Sequence, residues 1–469
     1  MSTGSGADSA PAPNSHHDTV SDDATATASA RGTAPGIAAG PAAPPRKGTF
    51  SSLRIRNYRL FATGAVVSNT GTWMARITQD WLVLSITGSS TAVGITTAMQ
   101  FLPMLLFGLY GGVIADRFAK RTLLFFTQGA MSLSGLFLAA LTLTGNVQVW
   151  HVYLAAFFTG LVTVVDNPTR QSFVSEMVGP DQVRNAVSLN SANFQSARLI
   201  GPAVASALTA AVGPGWAFLA NGLSFLAPLT SLCLMRTREL HHAPRTARGK
   251  GQLREGLNYV SKHPELIWPI VLVGFVGTFG FNFPIWLSAY ADDVFHGGVG
   301  MYGVFNTLMA FGSLAGALLA ARRRSTRLRV LAGAAVGFGV LEIVAAFSPA
   351  VWAFAPLIVL LGILGLTVNV TANSSVQMAV DPEMRGRVMS LFMMVFTGGT
   401  PLGGPLFGWL ADQYGVRISF AIGGLVCATA AVGVGLMLAR AANLRLKLDL
   451  RRGRQHVQFV PREQLATAA

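Results

Sequence analysis

Four ionisable side chains fall inside long apolar runs of this sequence: Arg76, Asp80, Arg198 and Glu342. A charge at the middle of a bilayer costs about 2.5 to 3.5 kcal/mol on the insertion scale, so each of these needs a partner or a wet cavity. Arg76 and Asp80 are one helical turn apart and can pair within a helix, while Arg198, at comparable depth, competes for the same carboxylate. A buried carboxyl gains or loses its proton according to whether a guanidinium stays beside it, which makes Asp80 a candidate proton-coupling acid. The alternative is a permanent structural pair of Asp80 with Arg76 or Arg198.

The elements that must position these groups are membrane helices. Of 469 residues 51% are apolar and only 12% are charged, against about a quarter charged in a soluble domain. Runs long enough to cross about 30 Å of hydrocarbon recur from Tyr58 to about Leu438. The pattern predicts an all-α integral membrane protein with twelve spans, near 58–86, 91–115, 122–144, 147–168, 185–212, 215–235, 267–291, 300–321, 328–348, 350–373, 388–411 and 416–439. Five segments follow: a disordered tail over 1–48, a six-helix half over 49–235, a linker over 236–266, a second six-helix half over 267–440, and a basic tail over 441–469.

Basic residues sort the loops into two classes. The 2-3 loop, the 4-5 loop (Arg170, Arg184), the 6-7 linker, the 8-9 loop (Arg322, Arg323, Arg324, Arg327, Arg329) and the 10-11 loop (Arg385, Arg387) are basic. The intervening turns are nearly free of base, and one carries Asp292 and Asp293. The positive-inside rule then puts both termini in the cytoplasm, and the net charge of +15 describes a face attracted to anionic lipid headgroups rather than to nucleic acid. Cys233 and Cys427 fall near opposite faces, which leaves no disulfide, and no spacing of His, Cys, Asp or Glu suits a metal.

An internal repeat joins the halves. Asp181-Gln182-Val183-Arg184 is echoed by Asp381-Pro382-Glu383-Met384-Arg385, and Gly201-Pro202 by Gly404-Pro405, each about two hundred residues on. Small residues four apart (Gly108 and Gly112, Gly201 and Ala205, Gly312 and Gly316, Gly404 and Gly408) predict close helix contacts where the halves meet.

One loop carries the family resemblance. Gly112-Val113-Ile114-Ala115-Asp116-Arg117-Phe118-Ala119-Lys120-Arg121 resembles the loop 2-3 signature of the major facilitator superfamily, with Ala119 in place of the second glycine. The blocks Leu53-Arg54 through Asp80-Trp81, Gln100 to Pro103, Asp166 to Gln171 and Arg385 to Ser390 resemble the branch of enterobactin-type siderophore exporters and macrolide or multidrug efflux proteins. The resemblance covers about residues 50–440 and implies a proton-coupled, alternating-access exporter in a bacterial inner membrane. It further implies that Asp116, Lys120 and Asp166 form a charge relay that latches the outward-facing state, with Gly112, Arg117, Arg121 and Arg170 around it. Asp116 itself sits past a helix end, where the start of span 11 near Val388 offers a positive helix terminus. Around Gly201 and Pro202, span 5 resembles the antiporter motif with three glycines replaced by Ala or Ser.

Substrate-facing candidates are Asn69 and Trp73 on span 1, Asn193 on span 5, and Phe279, Asn282 and Trp286 on span 7, an aromatic and amide set suited to a loosely recognised amphipathic compound. Phe or Trp facing lipid is the alternative for the aromatic members. No filter loop or charge ring suggests a channel, His16, His17, His241 and His242 lie in polar segments rather than an enzyme site, and no phosphate loop suggests direct use of ATP. The reading is a monomeric secondary transporter without cofactor, not an enzyme, exchanging protons for a small molecule. A facilitator or importer of a small polar metabolite is the alternative.

Overall fold

Turn chemistry sets where each helix stops. In the computed structural model, which describes residues 50–241, 252–321, 328–441, 444–448 and 457–461, α1 (Arg56–Thr87) ends at Gly88 in the left-handed region with φ 59°. Ser89 then caps α2 (Ser90–Arg117) by accepting the Ala92 amide. The N-terminal half continues with α3 (Lys120–Leu143), α4 (Val149–Val178), α5 (Val183–Val212), α6 (Pro214–Ser224) and α7 (Leu226–Leu234). The C-terminal half follows a short α8 (Gln252–Ser261), with α9 (Pro264–Phe275), α10 (Phe283–Ala289), α11 (Gly298–Ala321), α12 (Leu328–Ala346), α13 (Val351–Ala379), α14 (Arg385–Gly398), α15 (Thr400–Tyr414) and α16 (Val416–Ala441). The expected tail over 1–48 and Arg322, Arg323, Arg324 and Arg327 lie outside the described residues.

Helix occupies every position where a span is expected, but not always as one rod. Span 6 divides at Phe225, span 7 carries π-helical stretches at Val276–Gly280 and Tyr290–Val294, and span 11 divides at Gly399. α4 runs to Val178 rather than stopping near Pro168, because a proline in a long packed helix bends the rod without ending it. Among the described residues, eight helical stretches are long and apolar enough to cross a membrane, and Val330–Ala346 is a shorter apolar helix. α14 and α15 are each too short to qualify, and α1 and α5 carry the buried arginines and amides that lower their hydropathy. The segments expected as linker and basic tail hold regular structure. In the linker, Arg387 on α14 pairs with Glu255 on α8 at 3.1 Å and Tyr259 donates to Asp381 at 2.8 Å, so α8 is tied to the second half. In the C-terminal tail, Leu444–Leu448 pairs antiparallel with Val457–Pro461.

The two halves meet at the end of the bundle away from the basic loops. There α2 lies on α15 with backbone against backbone: a Cβ on Gly404 would stand 2.7 Å from the Gly94 carbonyl oxygen, and one on Gly408 would stand 2.5 Å from that of Ser90. A Cβ on Gly94 would run into the Gly404 carbonyl, and one on Gly303 of α11 into the Ser206 hydroxyl of α5. Further along α2 the contact continues to α14, where a Cβ on Gly398 would stand 2.8 Å from Leu105, while Gly108 meets only Met104 of its own helix. Of the small residues expected at this seam, Gly404 and Gly408 cross it. Gly201 packs on Trp73 within its own half, and Gly312 and Gly316 pack on Val359 and Ile363 of α13.

A carboxylate seals the same end. Asp412, past the apolar run of α15, accepts from the Ser90 and Thr91 amides at 2.7 and 3.0 Å and from the Ser89 and Thr91 hydroxyls at 2.6 Å each. It thereby satisfies the free amides and the positive end of α2. Burial acts to raise the Asp412 carboxyl, but the hydrogen bonds from Ser89, Thr91 and Ser90 outweigh it and hold the group below the usual carboxylate range. A depressed pKa means that the seal is present above the ordinary carboxylate range and is lost as pH falls through the depressed value. Asp412→Ala is expected to weaken the contact by about 1 to 2 kcal/mol. Spin labels at Thr87 and Gln413 should then show a longer-distance population several-fold larger than in the parent protein, and acidification should produce the same trend in the parent.

Candidate functional site

One face of α1 carries Asn69, Trp73, Arg76 and Asp80, at helical spacings of four, three and four. Asp80 shows which way that face points, because its Oδ2 accepts from the Tyr302 hydroxyl of α11 at 3.0 Å. Asp80 is 4% exposed, Tyr302 is fully buried, and the Tyr302 ring stacks on Trp81 at 6.3 Å. The structure corrects the pairing expected for Asp80: its hydrogen-bond partner is Tyr302, across the seam, and no ion pair joins it to Arg76 or Arg198 among the described residues. Arg76 still lies close enough for the two charges to interact.

The two arginines share an aromatic support instead. The Arg76 guanidinium carbon sits 5.0 Å from the Trp73 ring centroid and 5.9 Å from that of Phe101, and the Arg198 carbon sits 5.6 Å from Trp73. Phe194 meets the indole edge-on at 5.7 Å. Both arginines are half-buried, and among the described residues neither has a hydrogen bond or carboxylate within pairing distance. Cation–π contacts supply about 1 to 2 kcal/mol each when desolvated, so the single contact of Arg198 falls short of the cost of a guanidinium in hydrocarbon, while the two of Arg76 together approach it. Neither kind of contact satisfies the guanidinium N–H donors, which leaves both groups open to water or a ligand.

Elsewhere the candidates separate into cleft and core. Asn69 is half-buried on the α1 face described above. Asn193 donates to the Ala62 carbonyl at 3.2 Å, which ties α5 to α1. Gly201 and Pro202 bring α5 against α1, with Trp73 Cβ 2.5 Å from where a Gly201 Cβ would stand. Trp286, expected on a cavity wall, is instead fully buried: it donates to Ser419 Oγ at 3.1 Å and stacks on Phe420 at 4.5 Å. Phe279 packs edge-on to Phe407 at 6.2 Å, and Asn282, 2% exposed, caps the broken middle of span 7 by donating to the Thr278 carbonyl at 2.9 Å. An alternating aromatic run reads the same in sequence whether it lines a cavity or fills a core. Glu342 is also interior to the second half, at the α12–α16 crossing where Gly339 and Gly424 bring the backbones together.

The loop constellation forms two clusters rather than one chain of contacts. Asp166, 3% exposed, accepts from Thr127 Oγ1 and Gln128 Nε2 at 2.7 Å each, and from Arg170 Nη2 and Nε at 3.1 and 3.2 Å. Lys120 pairs with Glu176 of α4, so it is not joined to Asp166 in this arrangement. Arg121 donates to the Leu232 carbonyl at 2.8 Å, Arg117 is exposed, Asp116 is half-buried and held by a partner, and Gly112 is buried. Glu176, Tyr302 and Asp412 escaped the sequence reading. Tyr302 alone had a visible signal, a hydroxyl-bearing aromatic in an otherwise apolar run.

The comparisons with known proteins agree with this architecture. The family model described as transmembrane secretion effector, of the major facilitator superfamily, matches residues 47–459. The chain belongs to that family. Among its relatives are the staphyloferrin A transporter of Staphylococcus aureus, 26% identical over 84% of this chain and 98% of the relative, and the multidrug efflux pump Tap of Mycobacterium tuberculosis, 27% identical over 83% and 94%. A bacterial homolog of the human lysosomal transporter Spinster, solved in an inward-facing and occupied conformation, shares the fold with a TM-score of 0.66 at 15% identity, over 82% of this chain and 97% of that one. This chain is thus a multi-pass membrane transporter of small molecules with the major facilitator fold, and it is not an enzyme.

The Asp166 cluster, in which the carboxylate accepts from three side chains, yields a stability test. Asp166→Ala strands a buried guanidinium and two buried donors at a cost of about 3 to 5 kcal/mol. The purified variant should melt several degrees below the parent in detergent, and Asp166→Asn by a smaller margin, as read by scanning fluorimetry.

Proposed function

We propose that the protein is a proton-coupled exporter of amphipathic small molecules, working as a monomer by alternating access in a bacterial inner membrane with both termini in the cytoplasm. The observation that carries the reading is the Asp80–Tyr302 hydrogen bond, which puts a buried acid on the surface that must part when the halves rock. Proton coupling needs an acid whose surroundings differ between two conformations. Asp80 meets that need, because Tyr302 belongs to the other half while Arg76, four residues before it, moves with its own helix. The backbone contacts of Gly94 with Gly404 and of Ser90 with Gly408 at one end of the bundle support a cleft open on the side of the termini. The Tap relative is named for multidrug efflux, which supports export and a tolerant site.

In this scheme substrate enters from the cytoplasmic side and the Asp412 seal then opens. A proton reaching Asp80 from outside replaces the Tyr302 hydrogen bond as the partner of its carboxylate while the halves are apart. The Asp166 and Lys120 clusters stay on the cytoplasmic side, where closing halves bring Asp116 towards the start of α14. In this role the latch carries Gly112, Asp116, Arg117, Lys120, Arg121, Asp166 and Arg170.

Everted vesicles provide the test. With an imposed proton gradient and a panel of amphipathic compounds that includes carboxylates as well as macrolides, addition of a transported compound should release protons from the acidified lumen in wild type. Asp80→Asn should abolish release while leaving the protein inserted, and Tyr302→Phe should shift its pH dependence with at least several-fold loss of rate. Accumulation that ignores collapse of the gradient, or an Asp80→Asn variant that still exchanges protons, overturns the coupling. A site near Ser89 labelled from the same compartment as one near Gly251 overturns the orientation.

A further inference from the structure

The two half-buried arginines are the unexplained charges of this molecule. On α5, Arg198, Pro202 and Ser206 recur every four residues and share a face, and the Pro202 carbonyl and Ser206 hydroxyl lie against Gly303 of the other half. On α1, Arg76 shares a face with Asp80, which touches Tyr302 of the other half. Both guanidinium-bearing faces therefore turn towards the second half. Each arginine sits one or two turns away from the seam, on the side where the halves separate.

We propose that Arg76 and Arg198 together bind the anionic group of the transported compound, so that the preferred cargo is an organic anion, a carboxylate on an aromatic or apolar body. The proposal rests on the cleft being the transport path, and it narrows the cargo by charge. Two like charges face one indole and repel each other, and the nearest acid, Asp80, is 4% exposed and engaged by Tyr302. A carboxylate placed between them accepts from both forks, and its apolar body meets Trp73, Phe101 and Phe194. A cationic compound meets the same two guanidiniums as repulsion. That charge preference is the reverse of what a buried acid on α1 would suggest if Asp80 were the substrate's contact.

The test uses three probes with one body and different charge: 2-naphthaleneacetate, 2-naphthaleneacetamide and 2-(2-naphthyl)ethylamine, titrated by calorimetry into the purified full chain in nanodiscs at equal pH on both sides. The carboxylate is expected to bind at least about 10-fold tighter than the amide, with the ammonium weakest. Arg76→Gln and Arg198→Gln should each bring the carboxylate down to the level of the amide. Arg76→Lys should restore part of the preference, and Arg184→Gln, on the exposed start of α5, should leave it intact. Equal binding of the three probes by the wild-type protein, or failure to bind the carboxylate, overturns the proposal even if a glutamine variant does not fold. Because no proton gradient is present, this outcome is independent of whether transport is proton-coupled.

Discussion

Two carbonyl oxygens, those of Gly94 and Gly404, decide how closely the halves approach. Each points at the other glycine's Cα, leaving no room for a side chain at either position, so α2 and α15 touch through backbone at one end of the bundle. In lipid there is no hydrophobic force between helices to hold such a seam, and packing contact with hydrogen bonds must do it. Asp412 on the α2 terminus and Tyr302 on Asp80 are the polar bonds that join this backbone contact. All three lie on the same side of the arginines, so in the proposed scheme the cleft opens where the charges are.

Discontinuous helix serves that seam. Gly399 and Gly403, at and after the break in span 11, press against Thr278 in the π-helical part of span 7, and Asn282 closes that irregular stretch by reaching back to the Thr278 carbonyl. Non-helical backbone at membrane depth is tolerated only where protein or water satisfies it, and here both broken spans lie against each other. The irregular backbone thus belongs to the second half's own packing, beside the seam.

Much of this was legible in the amino-acid order. Charge at alternate loops, apolar runs of the right length and the repeated Gly-Pro step give the membrane architecture, because each reflects a cost that every bilayer-spanning chain must meet. The loop from Gly112 to Arg121 gives the family. What could not be read was which polar group meets which. Asp80 has an arginine four residues before it and another on α5, and nothing in their spacing favours a tyrosine more than two hundred residues on. Trp286 failed for the converse reason, since a tryptophan in a glycine-rich, aromatic span carries no mark of whether Ser419 awaits its indole nitrogen.

The halves differ in kind as well as in position. The second half is built round a continuous aromatic core in which Trp286 stacks on Phe420 and Tyr290 on Phe354, both at 4.5 Å, and its one deeply buried acid, Glu342, is enclosed by a tight helix crossing. Facing the seam, the first half places an acid, two arginines and an indole flanked by Phe101 and Phe194. A close-packed aromatic core resists deformation, whereas charges at a parting surface change their surroundings with each small movement. In the proposed scheme the second half is the rigid wall against which the first half's charges exchange partners, and Tyr302 is the point at which that wall reaches across.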